Sequence, residues 1–223
     1  QLANTLIKKN FTGFTLADTA DNVRAIFQDK AKYIYNQLPE VLKPTEKYNS
    51  KTEMFFENLN SSWRINVATS QVGRSRTINF FHGSEAGFWN CLISDTQSSL
   101  GEALTKDSIQ ILESTANGFN EFKDLWDSGE WINCFYEWWK TKEYQDNFES
   151  QDIKNTFLYN IDHKAQTEWI WERLNWLKYK IHLKDEQLYW YYNKYNSYLN
   201  KDLIKQEYPC SPEEAFLNSG NCV

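Results

Sequence analysis

The sequence predicts an α/β fold: a mainly parallel sheet flanked by helices, followed by a helical appendage. Three observations lead there. Short apolar runs alternate with stretches of helical periodicity as far as about residue 140. Two of those runs, residues 77–82 (TINFFH) and 108–114 (SIQILES), lead into Gly-Ser-Glu and Thr-Ala-Asn-Gly, a form suited to strands that end at a ligand edge. Beyond residue 140 the pattern changes, and Ile170, Leu174, Leu177 and Ile181 recur at 4-3-4 spacing, the stripe of an amphipathic helix. The expected division is an α/β domain over residues 1–140 and a helical subdomain or linker over 141–223.

Each element has its own local signal. Residues 1–10 resemble the tail of a helix, and 11–17 (FTGFTLA) form a strand candidate. Residues 18–38 are expected to be helical, capped by Asp18 or Thr19. Val23, Ile26, Phe27, Ala31, Ile34 and Leu38 would share its buried face, and Pro39 and Pro44 would close it. Residues 52–58 and 62–70 alternate like two paired strands, and 71–76 (QVGRSR) form a polar loop. Residues 77–82 are the next strand, 86–104 a helix, 108–114 a buried strand, 120–129 a helix and 131–139 (WINCFYEWW) a last strand. Helices are expected over 163–182 and 184–199.

Composition narrows the class. The chain has 223 residues, 41% apolar and 24% charged, enough for a substantial globular core. No apolar run is long enough to cross a membrane, and QLANTLIKKN has neither an apolar h-region nor a cleavage site, so no signal peptide is expected. A net charge of −6 argues against a protein that coats DNA through overall basicity, while leaving local basic patches open. Cys91, Cys134, Cys210 and Cys222 are widely spaced, and His82, His163 and His182 are isolated, so neither a zinc site nor a metal cluster is expected. The chain has ten Trp, and those between Trp131 and Trp190 suit a packed core better than a stacking surface for bases or sugars.

Glu85 is the first candidate for chemistry. It follows an apolar run and stands in Gly83-Ser84-Glu85. At the end of a parallel strand a carboxylate can polarise an attacking water in nucleotide hydrolysis; the plain alternative is a solvated turn residue. Ser114, Thr115, Ala116 and Asn117 follow the neighbouring run. Such a turn can sense a phosphate by hydrogen bonding, or simply cap a helix. Arg74 and Arg76 flank Ser75 just before the strand that delivers Glu85. They suit phosphate or DNA contact, or a solvated loop.

Taken as a set, INFFHGSEAGFW, ILESTANGFNEFKDLW, FYEWWKTKEY and QEYPCSPEEAFLNSGNCV resemble the large terminase subunit of tailed bacteriophages, in the family's order and spacing. FTGFTLADTADNVRAIF resembles that family's second strand and the helix after it. The resemblance implies a P-loop NTPase-like core belonging to a DNA-packaging ATPase. It implies ATP and Mg2+ as cofactors, and double-stranded DNA, the portal protein and the small terminase subunit as partners. It further implies a homo-oligomeric ring in the host cytoplasm, docked on the procapsid, with no membrane attachment. By position Glu85 matches the catalytic glutamate. Ser84 stands where many members carry the magnesium-linked aspartate of Walker B, so no direct metal ligand is expected from this strand. Ser114, Thr115, Ala116 and Asn117 match the coupling motif.

One expected piece is missing. The 223 residues contain no GxxxxGK[ST], so the chain is expected to be an internal fragment or a degraded prophage product, lacking both that loop and the nuclease domain, and inactive alone. Two other readings stay open: a helicase-like ATPase domain, and an aromatic-rich module binding nucleic acid or carbohydrate without catalysis.

Overall fold

The computed structural model describes residues 1–72 and 77–218, the last two of them as backbone only. The chain forms two compact units: one of Gln1–Thr115 with Asn120–Gly129, the other of Ala116–Phe119 with the residues from Glu130 onward.

The first unit is the α/β part. α1 (Leu2–Ile7) precedes β1 (Thr12–Ala17). α2 (Ala20–Arg24), a π-helical stretch (Ala25–Lys32) and α3 (Tyr33–Gln37) follow as one continuous helical rod. β2 (Glu46–Asn49) and β3 (Glu53–Phe56) are antiparallel, and β3 pairs antiparallel with β4 (Ser61–Val67). β5 (Ile78–Ser84), α4 (Ile93–Gly101), β6 (Leu104–Glu113) and α5 (Glu121–Asp127) complete it. The sheet order is β2-β3-β4-β1-β5-β6, with β4, β1, β5 and β6 parallel.

β1 is buried on both faces along most of its length, as a central parallel strand should be. Alternate residues feed two cores. Phe14, Leu16, Ile78 and Phe81 pack with Leu100 of α4. Ala17, Met54, Phe56, Trp63 and Ile65 pack with the helical rod. Trp63 keeps its indole N–H satisfied by donating to the buried Thr15 hydroxyl at 3.0 Å.

The rod shows why one expected contact moves. Its buried residues are Val23, Phe27, Ala31 and Tyr35, a strict four-residue repeat. On an ideal α-helix that repeat would drift about 40° per step. The wider π-helical stretch takes up the drift and holds the four side chains in one row. Tyr35 therefore lies inside, and Ile34, expected in the core, is exposed.

The second unit is helical: α6 (Gln151–His163), α7 (Trp169–Trp176) continuing into a π-helical turn (Leu177–Ile181), α8 (Asp185–Ser197), α9 (Leu203–Glu207) and α10 (Pro212–Asn218). Ser150 caps α6 by accepting the Ile153 N–H at 3.2 Å. The core is aromatic. Trp138 stacks on Trp190 and Tyr191 with centroids 5.3 and 4.9 Å apart, and Tyr144 lies parallel to Trp190 at 4.4 Å. Trp138, Trp171 and Trp190 are buried, so they belong to packing and not to an exposed stacking surface.

The strand expected over 131–139 does not form. That stretch is irregular apart from a 3-10 turn at Trp138–Lys140. Its residues have β propensity but no ladder partner, and propensity without pairing does not make a strand. Ile132 and Tyr136 are exposed, while Trp138 docks into the aromatic core and Trp139 packs against it. The helix expected over 86–104 is confined to α4, after a short 3-10 turn at Ala86–Phe88. Among the described residues no helix is long and apolar enough to cross a membrane.

Candidate active site

The four parallel strands place their carboxyl ends on one sheet edge, where open α/β sheets bind ligands. Register sets who meets whom there. Ser84 pairs with Glu113, so Glu85 comes opposite the turn that begins at Ser114.

Glu85 adopts φ 52° and ψ 44°, the left-handed region that non-glycine residues seldom occupy. Its backbone is fixed around that bend. The Glu85 carbonyl accepts the Phe88 N–H at 2.9 Å, and the Ser84 carbonyl accepts the Trp89 indole N–H at 2.9 Å. Two glycines permit the close packing. A Cβ on Gly83 would come within 2.5 Å of Leu112 and 2.8 Å of Trp89, and one on Gly87 within 2.9 Å of the Ser114 hydroxyl.

The Glu85 carboxylate is held more loosely than its backbone. Its Oε2 lies 3.4 Å from the Thr115 backbone nitrogen and 3.5 Å from the Ser114 hydroxyl, both long for hydrogen bonds. The Ser114 hydroxyl donates to the nearer Thr115 carbonyl at 2.7 Å and accepts the Gly87 N–H at 3.1 Å. Burial raises the Glu85 carboxyl above the ordinary glutamate range. The Glu113 charge adds to the rise, the Thr115 N–H opposes it, Asp18 adds a little more, and Ser114 opposes it weakly. A carboxylate so perturbed, on a fixed backbone at a ligand edge, suits general-base work.

Glu113 is tuned the other way. Burial would raise it, but its interactions with His82, with Ser84 and with the Glu85 backbone N–H outweigh that and hold it below the ordinary range. The His82 Nε2 to Glu113 Oε1 distance is 3.4 Å. Asp18 follows β1 on the same edge, and its Oδ1 accepts the Asn22 side-chain N–H at 2.6 Å while Thr19 caps α2.

The structure therefore brings Glu85, Ser84, Ser114 and Thr115 together. Ala116 and Asn117 continue the same turn but group with the second unit, where Ala116 is buried. Arg74 and Arg76 lie outside the described residues. Sequence reasoning does not single out Glu113, His82 or Asp18. The one signal available to it is that Glu113 immediately precedes Ser114, but the partner of Glu113 depends on strand register.

A cation finds little to hold it in these residues. Among the described residues no group of three His, Cys, Asp or Glu could ligate a metal. The Ser84 side chain is buried.

No family model matches the chain, and no curated protein matches it. Among solved structures, the large terminase of bacteriophage HK97 is similar at a TM-score of 0.53 and 14% identity, covering 93% of this chain and 42% of that one. The large terminase of a thermophilic bacteriophage is similar at a TM-score of 0.44 and 9% identity, covering 74% of this chain and 40% of that one. The chain thus spans about two fifths of the length of these terminases. At such identity the likeness is one of fold. This chain shares with that part of the HK97 large terminase a fold built on a mainly parallel sheet flanked by helices.

Proposed function

We propose that these residues form part of the ATPase of a phage DNA-packaging motor, coupling ATP hydrolysis to translocation of double-stranded DNA into a capsid. The observation that carries the reading is the placement of Glu85. A half-buried carboxylate of raised proton affinity stands at the carboxyl end of central strand β5, against Ser114 and Thr115 at the end of β6.

In this reading Glu85 orients the attacking water and takes its proton. Its backbone bonds keep the carboxylate at the sheet edge, and its loose hold on Ser114 and Thr115 leaves it able to adjust. A change at Glu85 is passed to Ser114 and Thr115, and so along the chain to Ala116 and Asn117. Mg2+ bound with ATP would neutralise developing phosphate charge. β6 is the last strand of the sheet among the described residues, with Ile109 and Ile111 exposed; a further strand bearing a phosphate-binding loop would pair at that edge. In the assembled motor the partners would be the portal protein, the small terminase subunit and further copies in a ring, in the host cytoplasm.

The test is ATP hydrolysis by the full-length gene product with and without DNA. Glu85→Gln is expected to lower kcat by about a thousandfold or more. Retention of full turnover by Glu85→Gln would remove Glu85 as the base and the reading with it.

A further inference from the structure

The short turn after Glu85, Ala86–Phe88, is held from outside by two side chains that meet at Gly87. The Gly87 N–H donates to the Ser114 hydroxyl at 3.1 Å, and the Gly87 carbonyl accepts an Asn120 side-chain N–H at 2.9 Å. Ser114 ends the strand that neighbours β5. Asn120 comes from further along the chain, at the start of α5.

We infer that Asn120 is a positioning residue for Glu85: from the start of α5 its side chain holds the peptide that closes the Glu85 turn. The inference rests on the reading of Glu85 as the hydrolytic base. Gly87 and Phe88 share one planar peptide unit, so its carbonyl and its N–H turn together. Asn120 binds the carbonyl, and the N–H donates to the Glu85 carbonyl at 2.9 Å. Asn120 thus reaches the Glu85 backbone through one rigid group.

The Asn120 amide is itself fixed. Its Oδ1 accepts the Phe122 and Lys123 N–H groups at 3.1 and 3.3 Å and so caps α5. An Asn side chain has its acceptor on one side and its donors on the other. Capping uses the acceptor here, and a donor is left facing Gly87. Glu121, the next residue, ties α5 to α4: its carboxylate accepts the Ser94 N–H at 3.2 Å, the Ile93 N–H and the Ser94 hydroxyl. The donor that reaches the turn is therefore carried by a helix start bound to a second helix.

The turn needs such a hold. Glu85 lies in the left-handed region, which a non-glycine residue keeps where its surroundings over-determine it. Gly87 lacks the side chain that would restrict its own backbone. Without the Asn120 bond the 87–88 peptide can rotate, its N–H leaves the Glu85 carbonyl, and the bend that aims the carboxylate relaxes. Misplacement of a reacting group by about 1 Å can lower a rate by about a hundredfold.

The experiment separates capping from positioning in the full-length gene product. Asp and Ser cap helices about as well as Asn, so Asn120→Asp and Asn120→Ser keep an acceptor for α5. An ionised Asp has no hydrogen to give to the Gly87 carbonyl, and Ser is too short to replace the amide. Both variants are expected to lower kcat for ATP hydrolysis about 10- to 100-fold while KM for ATP stays within about twofold. Hydrogen exchange should quicken over residues 85–88 and stay unchanged over α5. An unchanged kcat in both variants would overturn the inference, whatever the exchange shows. So would a loss expressed in KM alone, or a loss of kcat with faster exchange over α5 and none over 85–88, which would leave Asn120 as a cap only. Glu85→Gln is measured beside them. If it kept full activity, the assignment of the base would fail instead; if it were inactive while both Asn120 variants were normal, only the role of Asn120 would fall.

Discussion

The two units use their side chains in opposite ways. The α/β unit packs aliphatic residues and Phe on both faces of a sheet and leaves carboxylates half-buried at one edge. The helical unit fills its centre with stacked Trp and Tyr. Sheet edges expose backbone ends and place polar groups beside one another by register, which creates chemistry. Aromatic stacks bury large areas and fix geometry, which creates stability. Aromatic richness in one unit is therefore no sign of ligand binding, and a plain Glu-Ser-Thr in the other is the more informative stretch.

Substitutions can break this contrast. The largest stability loss is expected for Trp138→Ala, which removes the ring that stacks on Trp190 and Tyr191. A drop of about 3–5 kcal/mol in urea unfolding is anticipated. A near-neutral result would show that the aromatic centre is not the support of its unit. Gly83→Ala follows, because its methyl would collide with Leu112 and Trp89. About 1–3 kcal/mol of overpacking is expected, together with displacement of Glu85 measurable as a change in its NMR shifts.

Smaller effects separate the two carboxylates by sign. Glu113 is held below its ordinary range, so its contribution is present above the unfolded value and fades as pH falls through the folded one. Glu113→Gln should reduce stability at neutral pH, on the order of 1 kcal/mol for lost charged interactions at a half-exposed site. In acid the difference from the parent chain should shrink. Glu85 is raised, so its neutral form is the one folding favours, and that contribution is lost as pH rises through the folded value. Glu85→Gln should therefore gain stability at neutral pH, by less than about 1 kcal/mol after solvent screening, and gain nothing in acid. Thermal unfolding across pH checks both, and parallel curves for the two variants would contradict the opposite tuning.

Much of the fold is legible in local pattern. The alternation of apolar runs and helical periodicity points to β1, β5 and β6 and to the helices between them, and residues 52–58 and 62–70 read as a pair because each alternates. The 4-3-4 stripe marks α7 and its π-helical extension. Where local pattern fails, a partner at long range is the reason. Residues 131–139 read as a strand, but no neighbouring strand pairs with them and Trp138 is drawn into an aromatic core. Ile34 reads as buried on an ideal helix, and the π-helical stretch exchanges it for Tyr35. α6 is legible as well, with Ser150 as its cap and Phe157 and Ile161 at helical spacing on its buried face, although no helix is expected there above.

Residue order is enough to establish that Glu85 ends an apolar strand beside glycine and that Ser-Thr-Ala-Asn ends the next. Side-chain type and spacing are local properties, and they are readable without a structure. It takes the folded sheet to make β5 and β6 neighbours with Ser84 opposite Glu113. That register brings Glu85 to Ser114 and Thr115 and places His82 Nε2 3.4 Å from the Glu113 carboxylate. The physical reason is that a one-residue slip in pairing would leave every residue in the chain unchanged and yet send each of these side chains to the other face.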